Sequence, residues 1–388
     1  MTPTSNHENT LSPRERVLRA LAHAEPDRVP IVIGGSAQKI ALSTLRELLR
    51  HYGLPESSLR RVFAQFRFEH VSEPLWEKLG VDARHVYWQP EDTFSPKLQE
   101  AGESYVDDWG LDYNFSLGGG ATSCVYRSAP LANATVEDLS ARAWPDPDSD
   151  DRTVGMREAA QKLSSVGRYA VYAYRHGGVF DYASFLRGTE RFMLDLVMRK
   201  TFARGLLEKV TEVLVSFYER LLDAVGEYVD IVEIADDLGT QKAPMISPKT
   251  YDEFVKPCHK TLIQAIKRNH PNIKVMIHCD GGVRPLLPGM IEAGIDILNP
   301  LQVTAGGMEP KALKRDFGDA LVFQGGLDTQ HLLINATPEE VAQATRELID
   351  TLAPGGGYLF GPSHNILADI PMENVIAMFE TAQSHGRG

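Results

Sequence analysis

From about residue 169 onward, short apolar runs rich in β-branched residues alternate with longer segments in which apolar residues recur three and four apart. That alternation is the pattern of a parallel sheet wrapped by helices. Strands are expected at residues 169–174, 229–234, 273–278, 295–298, 320–324 and 357–360, and helices over 188–225, 248–268, 283–293 and 338–352. Ser247-Pro248 and Thr337-Pro338 place a hydroxyl at the cap and proline at the first helical position, and Glu340 completes a capping box. Earlier, a helix over 13–23 precedes a first strand at 28–33, with another at 80–88. Eight strands in all predict an α/β fold of the (βα)8 TIM-barrel type over an open doubly wound sheet. Turn signals at Asp107-Asp108 and residues 118–120 mark 89–144 as an early β-hairpin-like insertion, and the polar residues 1–13 read as a mobile leader to a single barrel over 14–388.

Composition narrows the function classes. The 388 residues are 43% hydrophobic and 24% charged, which excludes a disordered or coiled-coil body. The net charge is −12, from 40 basic against 52 acidic residues, and no basic block could track a phosphate backbone. No apolar run approaches the ~18 residues of a membrane span. Cys124, Cys258 and Cys279 lie far apart with no CxxC pair, which fits a soluble protein of the reducing cytoplasm. Neither a dinucleotide-binding GxGxxG after a strand nor a GxxxxGK[ST] loop is present.

The informative residues sit where strands end. Side chains at the carboxyl ends of barrel strands converge on one mouth, and here five successive strands end in polar clusters: Glu233 with Asp236 and Asp237; His278 with Asp280; Asn299 with Gln302; Gln324 with Asp328; and Ser363, His364 and Asn365 after the last. Tyr174 and His176 approach from an opposite wall. Any one of these reads equally as a helix cap or a hydrogen-bonded core residue. Gathered together, so many acidic, amide and imidazole groups call for a ligand, a metal or water. His278, Asp280 and His364, with Glu233 as a further oxygen donor, make a sensible shell for zinc, and a metal-free hydrogen-bonding site is the alternative. Cys279 adjoins His278 but points the other way by strand alternation.

The segments PDRVP (26–30), DDLGTQ (236–241), ISPKTYDEFVKP (246–257), HCDGGVRPLLPGMIEAGIDILNPLQ (278–302), FQGGLDTQ (323–330) and GPSHNILADIPMENVIAMF (361–379) together resemble the uroporphyrinogen decarboxylase superfamily over nearly the whole chain. The resemblance implies a (βα)8 barrel and two branches of activity: tetrapyrrole decarboxylation, and cobalamin-associated methyl transfer. The decarboxylases carry an arginine-containing RQAGRY-type segment after the first strand; here 34–48 read GGSAQKIALSTLREL, with no arginine before Arg46. The second half is more similar to the methyltransferases. Several of these hold zinc through a His-x-Cys pair and a later cysteine, whose positions are taken here by His278, Asp280 and His364. Replacing both thiolates would leave a harder, more Lewis acidic metal, suited to a methoxy oxygen.

The expectation is therefore a cobalamin-associated methyltransferase that removes a methyl group from a small methoxylated or otherwise methylated substrate, zinc-assisted. His278, Asp280 and His364 activate the leaving group, while Tyr174, His176, Asp236, Asp237, Asn299, Gln302, Gln324 and Asp328 bind substrate. With no DxHxxG corrinoid-binding segment in the sequence, the resemblance implies cobalamin free or on a separate corrinoid protein; a homodimer is compatible with it. The alternatives are a metal-free decarboxylase of a small carboxylate and a non-catalytic subunit that docks a corrinoid protein.

Overall fold

The computed structural model describes residues 11–35, 37–64, 67–87, 104–118, 121–126, 128–148, 153–175 and 177–385. Seven parallel strands form one curled sheet, in chain order across it: Ala83–Tyr87, Ala170–Tyr174, Ile231–Ala235, Lys274–His278, Ile297–Asn299, Val322–Leu327 and Tyr358–Pro362. Helices connect the successive strands, as right-handed βα crossovers require, and the result is a TIM-barrel-like α/β fold.

The strand expected at 28–33 is reduced to a single residue. Ile31 bridges in parallel to Val81 on one edge of the sheet and to Phe360 on the other. Pro30 has no N–H to give, and the N–H of Ile31 is taken by the Asp82 carboxylate at 2.8 Å, so the ladder cannot extend. What remains is Asp82 N–H to Ile31, Val32 N–H to Phe360 and Phe360 N–H to Pro30.

The helix Pro13–Leu21 begins at Ser12 with a complete capping box and Pro13 in the first turn. Its Val17, Ala20 and Leu21 plug the barrel, packing on Val32, Ala83, Ala170, Tyr172, Ile231, Met276, Ile297, Val322 and Leu359. Outward-facing strand residues instead join the larger core beneath the surrounding helices.

Two predicted helices are broken. The segment 188–225 divides at Arg199 into Thr189–Met198 and Lys200–Val225. Over 248–268 a π-helical turn, Tyr251–Val255, separates Pro248–Thr250 from Lys256–Arg268. Pro257 lacks the N–H that would continue the regular ladder, and the wider turn absorbs that loss. The helix Pro338–Leu352 begins and ends where expected, with its Thr337–Glu340 box formed. Thr337→Ala is expected to lower stability by about 1 kcal/mol, read as a shifted urea midpoint at unchanged slope.

Within 89–144 the described backbone holds an antiparallel sheet of Ser104–Val106, Asp112–Gly118 and Ala121–Tyr126; residues 88–103 lie outside the described set, as do 1–10 of the expected leader. Trp109 is buried and stacks on Tyr182 of the helix Val179–Arg187 at 4.1 Å, which ties this sheet to the barrel.

Candidate active site

Side chains on a strand alternate between faces, so the site can be built from the apolar plug upward. Two residues beyond each of Ile231, Met276, Ile297 and Val322 on the inner face come Glu233, His278, Asn299 and Gln324. Two beyond Ala83 and Tyr172 come His85 and Tyr174. A buried apolar layer is thus capped by a polar and aromatic one at the carboxyl end of the sheet. Glu233, His278, Asn299 and Gln324 are all buried.

At the mouth His278, Asp280 and His364 converge, each offering one ligand atom within 4.8 Å of the others. His278 Nε2 lies 3.9 Å and His364 Nε2 3.7 Å from Asp280 Oδ2. His278 Nδ1 sits 2.9 Å from Asn299 Oδ1. The Asp280 turn is held by its N–H to Asp237 Oδ1 at 3.0 Å and by Gly281 N–H to Gln302 Oε1 at 2.9 Å. Gly281 has φ +89°, and a Cβ there would lie 2.6 Å from the carbonyl carbon of Gly239. Burial alone would lower the pKa of His278, but Asp280, Asp237, the Asn299 hydrogen bond and Glu233 outweigh it and raise it. For half-exposed His364 burial prevails over Asp280, helped by His278 and Lys39, and its pKa falls. A tetrahedral zinc ion with ligands about 2.0–2.1 Å away needs donor atoms about 3.3 Å apart; the two His–Asp separations of 3.9 and 3.7 Å are close to that, and the donor set, spread over as much as 4.8 Å, would close around an ion by side-chain rotation. Glu233 lies deeper and is not part of the three-residue group.

The acidic residues behind the mouth divide in role. Asp236 accepts from Val179 N–H and Asp181 N–H at 3.0 and 2.8 Å, and pairs with His259 Nε2 at 2.6 Å. His259 Nδ1 is in turn 3.0 Å from the Tyr251 hydroxyl. Both Asp236 oxygens are thus engaged in anchoring the helix Val179–Arg187 and, through His259, the π-helical turn. Asp181 accepts the Asp237 N–H at 3.2 Å. Burial, then the charges of Asp236 and Asp237, hold the Asp181 carboxyl well above the usual carboxylate range; burial also raises Asp237.

That shift has a sign. The native protein retains a proton on Asp181 that the unfolded chain releases, so stability falls as pH rises from about 4 toward the raised native value. Asp181→Asn keeps the Oδ1 acceptor and removes the charge. It is expected to stabilise the metal-free protein at pH 7 and to lose that advantage below about pH 4, which urea titrations across this range would read.

Gln302 bonds Gly281 N–H and donates to Gln241 Oε1 at 2.9 Å. Asp328 accepts the N–H groups of Gln330, His331 and Leu332 and holds the turn that leads into the short helix Leu332–Asn335, a role outside the cluster. Tyr174 is buried edge-on to Tyr87. His176 lies outside the described residues. Cys279 faces the outer core, where it accepts the Leu238 N–H.

Sequence reasoning missed Gln38, His85, Asp181 and His259. His85 follows from the same two-residue rule applied to the strand Ala83–Tyr87; its ring lies tilted against Tyr172 with centroids 4.8 Å apart, and burial, then Arg84 and Lys39, push its pKa down to about 3. Gly35 packs between it and Glu233: a Cβ there would lie 2.4 Å from Glu233 Oε2 and 3.4 Å from His85 Nε2. No local signal marks Asp181 or His259, which lie on helices.

The sequence profile of uroporphyrinogen decarboxylase (URO-D) matches residues 110–385. The chain belongs to the URO-D family. Among curated members, the uroporphyrinogen decarboxylase of Aliarcobacter butzleri (strain RM4018) is 28% identical over 251 residues, 60% of this chain and 68% of its own length. That of Microcystis aeruginosa (strain NIES-843 / IAM M-2473) is 24% identical over 190 residues, 46% of this chain and 50% of its own length. The matches thus span between half and about two thirds of these URO-D relatives. Among solved structures, a methyltransferase from Methanosarcina mazei superposes with a TM-score of 0.65 at 18% identity, covering 96% of this chain and 98% of that one. This likeness shows a common fold. Among the described residues, no helix is long and apolar enough to cross a membrane.

Proposed function

We propose that this protein is a methyltransferase that takes a methyl group from a small methoxylated or otherwise methylated substrate, with zinc held by His278, Asp280 and His364. The observation that carries the reading is the convergence of two imidazoles and a carboxylate within 4.8 Å at the mouth. The shared fold with a protein described as a methyltransferase supports it. Glu233, Asp181 and Asp237 supply none of the cationic partners that a substrate bearing many carboxylates needs, which also speaks against such a substrate.

Zinc bound there would supply a Lewis acid toward the substrate's methyl-bearing heteroatom. The chain's own residues do the rest. Asn299 holds the His278 ring in orientation, Asp237 and Gln302 hold the Asp280 turn, and His85, Tyr87 and Tyr174 present an aromatic wall. The methyl acceptor, by resemblance, is a corrinoid, free or borne by a partner protein.

A metal-free decarboxylation of a small carboxylate is the second reading, favoured by the Asp237 carboxyl, which burial holds toward its protonated, proton-donating form. Metal analysis of untagged protein, with methyl transfer to added corrinoid and carbon dioxide release measured in parallel, separates the two. Zinc near one per chain with corrinoid-dependent demethylation is the expected result; carbon dioxide release by zinc-free protein would overturn it.

A further inference from the structure

The polar layer contains a chain of amides with one self-consistent orientation. Gln38 is 2% exposed and lies against the inner face of the last strand, in space left by glycine: a Cβ on Gly361 would sit 2.8 Å from Gln38 Nε2, and one on Gly325 3.1 Å from it. Gln38 Nε2 donates to the Pro362 carbonyl at 2.6 Å. A carbonyl only accepts, so Gln38 must present its NH2 there and its oxygen to the opposite side. That oxygen accepts from Asn299 Nδ2 at 3.1 Å and from Gln324 Nε2 at 2.8 Å. Gln324 Oε1 then accepts the Tyr172 hydroxyl at 3.0 Å. Asn299, its NH2 turned to Gln38, must turn Oδ1 to His278, and the 2.9 Å contact requires a proton on His278 Nδ1. In the neutral ring the lone pair is left on Nε2, the atom that faces Asp280.

We infer that Gln38 is a positioning residue that sets the tautomer of His278 through Asn299, so that Nε2 is delivered to the mouth as a ligand atom. A fixed backbone acceptor at Pro362 thereby selects, three hydrogen bonds away, which imidazole nitrogen can donate an electron pair. Asn299 carries this relay, and Gln324 joins the same Gln38 oxygen as a side branch. The value of the relay for metal binding rests on the zinc reading above; the tautomer itself does not.

The test is nitrogen NMR of the metal-free protein labelled with 15N-histidine, at a pH above the titration of His278, whose signals are assigned by His278→Gln. The wild-type ring should show one tautomer, protonated at Nδ1. Gln38→Met frees the Asn299 amide to turn over and should give a mixture of tautomers, with zinc affinity lowered roughly tenfold or more. Adding Asn299→Asp, whose side chain only accepts, should restore the Nδ1–H form. Gln324→Met, which leaves the Gln38–Asn299 link in place, should change neither the tautomer nor its purity. If Gln38→Met does not fold, Asn299→Ala replaces it with the same expectation. An Nδ1–H form that survives both Gln38→Met and Asn299→Ala, or a wild-type ring protonated at Nε2, would overturn the inference. A tautomer that shifts as expected in a protein that binds no zinc would leave the relay standing and remove the metal reading instead.

Discussion

Asp82→Ala is expected to lower the unfolding free energy by about 3–5 kcal/mol, the usual cost of removing one partner from a buried ionic cluster. Asp82 is fully buried, as nearly are Arg16 and Arg28. Its Oδ1 accepts from Arg16 Nη1 at 2.6 Å and Arg28 Nη2 at 2.9 Å, and its Oδ2 from Arg28 Nη1 and Ile31 N–H, both at 2.8 Å. One carboxylate therefore joins the plugging helix, the segment leading to Ile31 and the head of the strand Ala83–Tyr87. Arg16 retains Asp27 when Asp82 is removed, at 2.7 and 2.8 Å. Arg28 keeps only the carbonyls of Val29 and Gly80, so its charge is left buried without a carboxylate in contact. Urea unfolding reads the loss, and hydrogen exchange at Val32 and Phe360, whose N–H groups bond across the Ile31 bridge, should accelerate with it. A loss below about 1 kcal/mol would show that water reaches the two guanidinium groups and that the cluster is not the joint described here.

The second large effect is on activity. Under the proposed function, His278→Ala should abolish stoichiometric zinc and lower demethylation by on the order of 10³-fold, since a bound metal contributes several kcal/mol to stabilising charge in the transition state. Fold stability should change far less, because the side chain removed lies in the polar layer above the apolar plug and not in either core cluster. Asp280→Cys gives a sharper comparison. A thiolate there should keep zinc bound but make it a weaker Lewis acid toward oxygen, so demethylation of a methyl ether should fall while zinc content stays near one per chain. Unchanged ether demethylation in His278→Ala would remove the metal from the mechanism altogether.

Much of the architecture was legible because repetition announces it. Each buried strand of the parallel sheet is an apolar run followed within a few residues by polar side chains, and six such runs from residue 169 onward became strands whose ends lie within three residues of those expected. The helix Pro338–Leu352 was readable to the residue, since its cap, its proline and its capping box are all local. The strand expected at 28–33 contracted to a bridge for a reason that lies elsewhere in the chain: the Asp82 carboxylate takes the Ile31 N–H. The break in 248–268 is locally marked by Pro257, whereas the contact of Tyr251, in the π-helical turn, with His259 is made only in the folded chain.

The sequence by itself determined the chemistry that collects at the mouth, because strand alternation and the shared direction of parallel strands bring Glu233, His278, Asn299 and Gln324 to one level whatever the loops do. It also separated Cys279 from His278, as adjacent residues on a strand must face opposite sides. Only the tertiary structure decided what each polar group is free to do. Asp236 reads in the chain like Asp237, yet its oxygens are taken by Val179, Asp181 and His259, while Asp237 supports the Asp280 turn. Gln38, from a loop that no periodic pattern marks, became the centre of the amide relay because Gly361 and Gly325 leave it room 287 or more residues away in sequence. Hydrogen bonds are short and directional, so their partners are fixed by atoms within about 3 Å in space, and distance along the chain says almost nothing about which atoms those will be.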